Sequence, residues 1–340
     1  MIGVAILGSG FMARTHANAW AQHADRAAVR VVASRTLASA ATVASLCGAD
    51  ATDDLHGAIA RGDVDVVDIC LPTPLHRPHA EAAFAAGRDV LLEKPIALCV
   101  EDAEAIIAAR DASGRRLLLG FVLRFWPEYE ELARAVAAGS IGTPLVVSTL
   151  RLSAPPDWNE WMFDSAQSGG VAIDFLIHDF DQANALLGRP LTVHARAVTA
   201  GPFGAPQHML ATITYEGGIA TVEGGLMLPA SFPFTSCMRI LGADGVIEYP
   251  FSAPPSDAGG NIGGVDSAAN ALTLYPADGP SQRIDVVGAD PWECEVGYLI
   301  RCIEKDTMPT RATGEDALLA LRVALAANAS LATGQVEHIR

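Results

Sequence analysis

The chain opens on a short apolar run, Val4–Leu7, that stops at glycine and passes into helical text over Phe11–Trp20. The alternation then repeats. Val29–Ala33 reads as a second strand and 37–46 as an Ala-rich helix; VDVVDICLP (64–72) is a third strand, followed by a helix over 78–86. RDVLLEKP and RRLLLGF are further strands, separated by a helix over 101–112. Short apolar runs alternating with helices predict βαβ units and a doubly wound parallel sheet buried on both faces. The pattern holds to about residue 122.

Beyond that point the period changes. A helix over 127–138 precedes PLVVSTLRLS, a Pro/Trp loop and a helix near 170–187. Alternating strands follow over TVHARAVTA, HMLATITYEGGIATVEGGLML, SCMRILGADGVIEYP and ALTLYP. Gly217-Gly218 and Asp244-Gly245 stand between such runs as hairpin turns. Residues 252–269, rich in Gly, Pro, Ser and Asp, read as a long loop. Trp292, Val296, Leu299 and Ile303 share one helical face, and Thr313 caps a final helix to about 332. The expected class is α/β, with a doubly wound domain over 1–122. An α+β domain over 123–340 carries a large, mainly antiparallel open sheet, its last helix free to pack back toward the first domain.

Composition narrows the function. A length of 340 residues suits two domains. The net charge of -16, with no basic block, argues against nucleic acid as a partner. Six scattered cysteines without a C-x-x-C pair point to reduced thiols and to neither a disulfide frame nor a metal site. The N-terminus has no leader pattern and no apolar run reaches membrane-spanning length, so a soluble cytoplasmic protein is expected.

Gly8-x-Gly10-x-x-Ala13 stands between the first strand and the first helix, the context that gives this spacing meaning. Gly8 allows a tight turn, Gly10 lets a pyrophosphate approach the backbone, and Ala13 lets the helix pack on the strand. The adenosine ribose of a dinucleotide then falls about 20 residues on, at Ala33-Ser34-Arg35-Thr36. An acid there would accept from a 2′-hydroxyl, and none is present. Arg35, flanked by Ser34 and Thr36, suits a 2′-phosphate, so NADP is expected ahead of NAD. The alternative is a solvated Arg35, or one stacked on adenine with either cofactor.

Lys94 closes the fourth strand in Glu93-Lys94-Pro95, where strand ends border a ligand crevice. In GGVAIDFLIHDFD, Asp174 and His178 are four apart, one turn along the same helix face. A carboxylate beside an imidazole can orient it and raise its proton affinity for acid–base work. Asp179 and Asp181 read as helix surface or caps, with hydroxyl binding as the alternative.

These stretches come in order with TPLHRPHAEAAFAAGRDVLLEKP, GFVLRFWPEYEELARAVAAGSIGTP and SGGVAIDFLIHDFDQANALLG. Together they resemble the Gfo/Idh/MocA family, most tightly over 1–190 and again in ATGEDALLALRVALAANASLATGQ. The resemblance implies an N-terminal Rossmann domain and a second domain whose open sheet mediates a homo-dimer or homo-tetramer. It implies hydride transfer between a nicotinamide and a sugar, polyol or related compound. It assigns catalysis to Lys94, Asp174 and His178, which would also touch substrate. Cofactor contacts fall on Phe11 and Met12 beside the glycines, on Leu71, Thr73, Pro74 and His76 after the third strand, and on Glu93 and Lys94. Arg124 joins them as an anion holder, or else forms a structural ion pair. Trp158 and Trp161 form an apolar wall for a sugar face, or pack the subdomain. Two alternatives to net hydride transfer stay open: a nucleotide-bound sensor, and a lyase- or hydrolase-type reaction in which NAD is only transiently reduced.

Overall fold

A computed structural model of the chain describes residues 1–155, 164–199, 207–254 and 270–340. The apolar runs of the first half become six strands: β1 Ile2–Leu7, β2 Ala27–Ala33, β3 Asp50–Thr52, β4 Val66–Ile69, β5 Asp89–Leu92 and β6 Leu117–Leu119. Between them lie α1 Phe11–Ala21, α2 Leu37–Cys47, α3 Leu55–Ala60, α4 His76–Ala85 and α5 Val100–Ser113. The strands pair in parallel in the order β3-β2-β1-β4-β5-β6. Every residue of β1, β4 and β5 is buried, as a sheet covered on both faces requires. Strand order reverses between β1 and β4, which sets the turn after β1 beside the loop after β4. Two elements have no counterpart in the predicted pattern. β3 reads Asp-Ala-Thr, too short and polar to show a period, and α3 is six residues long.

The second half supplies α6 Pro127–Ala137, β7 Pro144–Leu152, α7 Ser165–Ser168, α8 Ile177–Leu187, β8 Pro190–Val198, β9 His208–Tyr215 and β10 Ile219–Gly225. It continues with β11 Phe234–Gly242, β12 Gly245–Ala253, β13 Leu272–Pro276 and β14 Gln282–Ile284. After α9 Pro291–Glu304 and α10 Gly314–Thr333, the short β15 Glu337–His338 completes a nine-stranded sheet. Its order is β14-β13-β12-β11-β7-β10-β9-β8-β15. All neighbours are antiparallel except β7 and β10, so the sheet is mainly antiparallel as expected. Both glycine turns are hairpins, joining β9 to β10 and β11 to β12. On one sheet face Met209, Ala211, Ile213, Val222, Met238, Ile240 and Tyr249 are buried; the alternate positions Leu210, Ile219 and Leu241 are exposed.

The chain divides into two compact units. The first holds Met1–Trp126 and Gly288–Leu318, the second Pro127–Val287 and Leu319–Arg340. Residues 288–318 are tied to the first unit by named contacts. Arg26 donates to Glu304, Arg116 pairs with Asp89 and Asp306, and Arg110 pairs with Glu315. The Leu119 N–H donates to the Ala312 carbonyl at 2.9 Å. Helix α9 starts on an Asp290 carboxylate that accepts from the Trp292 and Glu293 N–H groups, and its Val296, Leu299 and Ile300 are fully buried. In α10, apolar enough by composition to cross a membrane, Ala317, Ala320, Leu321, Val323, Ala324 and Ala327 are buried in the protein.

Candidate active site

The two glycines of the opening turn are required for different reasons. Gly8 has φ +126°, and a Cβ there would sit 2.3 Å from the Cys70 carbonyl oxygen. The chain itself therefore demands glycine at this position. Gly10 has an ordinary φ of -74° and a Cβ would meet nothing within 4 Å. No contact inside the protein demands glycine here. The open space lies at the start of α1, where no side-chain hydrogen bond caps the helix, and a helix N-terminus attracts an anion. Ala13 is fully buried, and Phe11 and Met12 are half-buried on that first turn. These residues fit a dinucleotide pyrophosphate.

At the end of β2 the three candidates separate. The buried Ser34 hydroxyl bonds to Ser9 Oγ at 2.7 Å and to Ser39 Oγ at 3.1 Å. Thr36 caps α2, accepting from the Ser39 N–H at 3.3 Å. Arg35 is exposed and makes no side-chain hydrogen bond or ion pair among the described residues. Of the three, only the guanidinium is uncommitted within the chain.

After β4, Leu71 is half-buried, Pro74 exposed and Thr73 buried at the head of a single 3-10 turn. His76 is buried, with Nδ1 2.9 Å from the Pro95 carbonyl and Nε2 2.8 Å from that of Leu71. Burial lowers its proton affinity, against the pull of those two carbonyls. The ring thus ties the loop after β4 to the Lys94–Pro95 turn, whose peptide is cis. Lys94 is half-buried, and its N–H donates to Glu93 Oε2 at 3.0 Å. Arg124 Nη2 lies 3.9 Å from Asp316 Oδ1, the ion pair weighed against anion binding. Only two of the 23 basic residues are lysines, Lys94 and the exposed Lys305. A chain that uses arginine nearly everywhere keeps one of its two lysines just after β5.

In the second unit the expected single helix face is corrected. Asp174 lies in a π-helical turn, Val171–Phe175, and α8 begins only at Ile177. Gly169 and Gly170, both with positive φ, lead into that turn. Spacing of four residues therefore does not place Asp174 and His178 on one continuous α-helix. Asp174 is buried and His178 half-buried at the head of α8. Asp179, next to it, is neither surface nor cap. Its buried carboxylate receives the Arg151 Nε–H from β7 at 2.6 Å. Asp181 is buried as well. Trp158 and Trp161 lie outside the described residues.

Sequence reasoning named Glu93 as a cofactor contact but missed the cluster it joins in the first unit: His16 on α1, Asp68 on β4, Glu93 after β5 and Glu295 on α9, all buried. The signal was available. Each is a polar residue at a position where the apolar period calls for core. His16 falls between Ala13 and Trp20, Asp68 inside VVDI, and Glu295 beside Val296.

Known proteins place this arrangement. A model described as "Oxidoreductase family, NAD-binding Rossmann fold" matches residues 2–121, and one for the GFO/IDH/MocA C-terminal domain matches 129–248. Over 229 residues the chain is 33% identical to inositol 2-dehydrogenase 4 of Saccharopolyspora erythraea. That match covers 65% of each protein, and the match to the inositol 2-dehydrogenase of Rhodococcus erythropolis covers 62% of that enzyme. The D-xylose 1-dehydrogenase (NADP(+)) 2 of Haloferax volcanii is 28% identical over 305 residues, 89% of each chain. Among solved structures, the aldose-aldose oxidoreductase of Caulobacter crescentus, complexed with glycerol, superposes over 99% of both chains with TM-score 0.84 and 25% identity. With the glycine turn, the parallel sheet and strands β7–β11 of the second sheet in the matched regions, the chain belongs to the Gfo/Idh/MocA family of oxidoreductases.

Proposed function

We propose that the protein is an NAD(P)-dependent oxidoreductase that moves a hydride between nicotinamide and a sugar, polyol or related carbonyl/alcohol compound. The observation that carries this reading is Gly10, a glycine no contact within the chain requires, at an uncapped helix start. Gly10, Phe11, Met12 and Ala13 would hold the pyrophosphate, Arg35 the adenosine end, and Leu71, Thr73 and Pro74 the nicotinamide end. When bound, the cofactor supplies the hydride chemistry. The chain supplies the rest. Lys94 offers an ammonium to the substrate oxygen and stabilises negative charge as it develops. His178 takes the hydroxyl proton in oxidation and returns it in reduction, with Asp174 orienting the imidazole. The names of the relatives, an inositol, a xylose and an aldose enzyme, support a polyhydroxylated substrate. The free guanidinium of Arg35 supports NADP ahead of NAD. The exposed face of the nine-stranded sheet supports a homo-dimer or homo-tetramer.

The test is a screen of inositols, sugars and keto-sugars with both cofactors in both directions, read by nicotinamide absorbance. Sustained turnover is expected, and Lys94→Ala and His178→Ala should each lower it by at least ~10² with cofactor affinity little changed. Bound cofactor without net turnover on any compound would favour a sensor or a redox-neutral reaction and overturn this reading.

A further inference from the structure

His16 lies on α1, three residues beyond Ala13, and is fully buried. Its Nδ1 stands 3.0 Å from both carboxylate oxygens of Asp68. Asp68 also accepts from the Trp20 indole N–H at 2.8 Å and from the Cys70 thiol at 3.3 Å. On the other side, His16 Nε2 faces Glu93 Oε1 at 3.1 Å and Glu295 Oε2 at 4.0 Å. The Nε2 contacts are ion pairs off the hydrogen-bond line. One imidazole therefore serves three carboxylates from three different elements, none of them in water.

The charges sort themselves. Burial alone would lower the proton affinity of His16, but Asp68 and Cys70 outweigh it and hold the ring well above its ordinary value. Burial pushes the Glu295 carboxyl well up, Glu93 and Asp68 add like charge, and His16 opposes them. Neither Glu295 oxygen has a hydrogen-bond partner. The balanced state is an imidazolium between two carboxylates, with Glu295 closing the cluster as a neutral acid. His16 Nδ1, the Asp68 carboxylate and Cys70 Sγ lie close enough to share a cation, within 4.8 Å of one another. Each of those atoms is already engaged by the hydrogen bonds above, and burial keeps the thiol protonated.

The cluster reaches the proposed chemistry through Glu93. One of its oxygens faces His16, and the other accepts the Lys94 N–H. A Cβ on Gly120 would touch that carboxylate at 3.0 Å, so the group is walled in as well as bonded. We propose that His16 is a positioning residue for Lys94: by pairing with Glu93 it fixes the carboxylate that holds the Lys94 amide, and so sets where the lysine leaves β5. The proposal rests on Lys94 acting at the substrate oxygen. Without the His16 cation, Glu93 is a buried carboxylate facing two other acids; it must take up a proton or turn away, and either change loosens its hold on Lys94.

With two lysines in the chain, protein labelled with 13Cε-lysine gives one signal from Lys94 and one from Lys305, assigned by Lys305→Arg. In His16→Gln the Lys94 signal should move, because the carboxylate that holds its amide is no longer fixed. Glu93→Gln, which keeps an oxygen for the Lys94 N–H and breaks the same pair from its other side, should move the Lys94 signal as well. Lys305 should stay in place in both, and Glu295→Gln should leave both signals unmoved. Circular dichroism confirms the fold of each variant. If His16→Gln fails to fold, Glu93→Gln carries the test alone. An unchanged Lys94 signal in the folded variants overturns the positioning role. The outcome is independent of turnover: Lys94→Ala with normal hydride transfer would remove the function assigned to Lys94, whatever the spectra show.

Discussion

Gly8 and Gly10 are two residues apart and answer to different forces. Gly8→Ala forces a Cβ against the Cys70 carbonyl and holds alanine in a conformation that costs on the order of 1–3 kcal/mol before any clash. It should lower the melting temperature sharply. Gly10→Ala has room and an ordinary φ. Its stability should equal or slightly exceed that of the parent, while binding of NADPH and NADH, titrated by nicotinamide fluorescence, weakens at least tenfold. An unstable Gly10→Ala, or one that binds normally, would remove the pyrophosphate from this turn. In the proposed function Arg35 is the residue that would choose between cofactors. Charge-assisted pairing at an exposed site supports roughly tenfold tighter binding of NADPH than NADH, shrinking with salt and lost in Arg35→Ala. Ser34 is a poor place to install a competing acid, because its hydroxyl is buried between Ser9 and Ser39. The glycine spacing, Arg35 and Lys94 were legible in the sequence because each sits at a strand end that the pattern locates. The His16 partners were not, because they come from three separate segments of the chain that only the fold brings together.

At the scale of elements, the helix bearing His178 shows where periodicity ends as a guide. The apolar positions of GGVAIDFLIHDFD suit one helix, yet a π turn and then α8 form instead. The sequence marks the break only by Gly169-Gly170. What fixes α8 on the sheet is the buried pair of Arg151 with Asp179, next to His178. Removing one partner strands the other charge. Arg151→Ala should therefore cost about 3–5 kcal/mol in urea unfolding, and Arg151→Met combined with Asp179→Leu should recover most of it. Full stability in Arg151→Ala would show the pair to be incidental. A second joint, α9 against α1 through Glu295 and His16, has a pH signature. Both groups bind protons more tightly folded than unfolded. The His16 contribution is complete below its unfolded value of about 6.5 and is lost as pH rises through the folded one. Glu295 acts in the same direction, starting from the ordinary carboxylate range. Melting temperature should thus decline from about pH 5 toward alkaline pH, and Glu295→Gln should flatten the decline. A rise across that range would contradict the assignment.

For the whole molecule, the alternation along β7–β12 was enough to foresee a sheet with one uncovered face. Register then adds what alternation does not contain. Val246, Leu241, Val146 and Ile219 line up on four neighbouring strands as a continuous apolar row. A row of that kind on a chain of net charge -16 suits a second copy meeting it face to face. Light scattering at micromolar concentration should report a dimer or tetramer, and Ile219→Asp with Leu241→Asp should yield monomer. A monomeric parent would refute the assembly.

The return of 288–318 to the first unit also governs how the protein can be made. Glu295, Asp306 and Glu315, which pair with or face His16, Arg116 and Arg110, leave the ribosome only after all of residues 127–287. At roughly 5–20 residues per second, that delay is on the order of ten to thirty seconds. Throughout it the nascent parallel sheet has His16 and Trp20 on a helix flank that nothing yet seals. A fragment ending at Trp126 inherits the same open flank permanently, so it should aggregate when expressed alone and dissolve when 288–318 is supplied through a short linker.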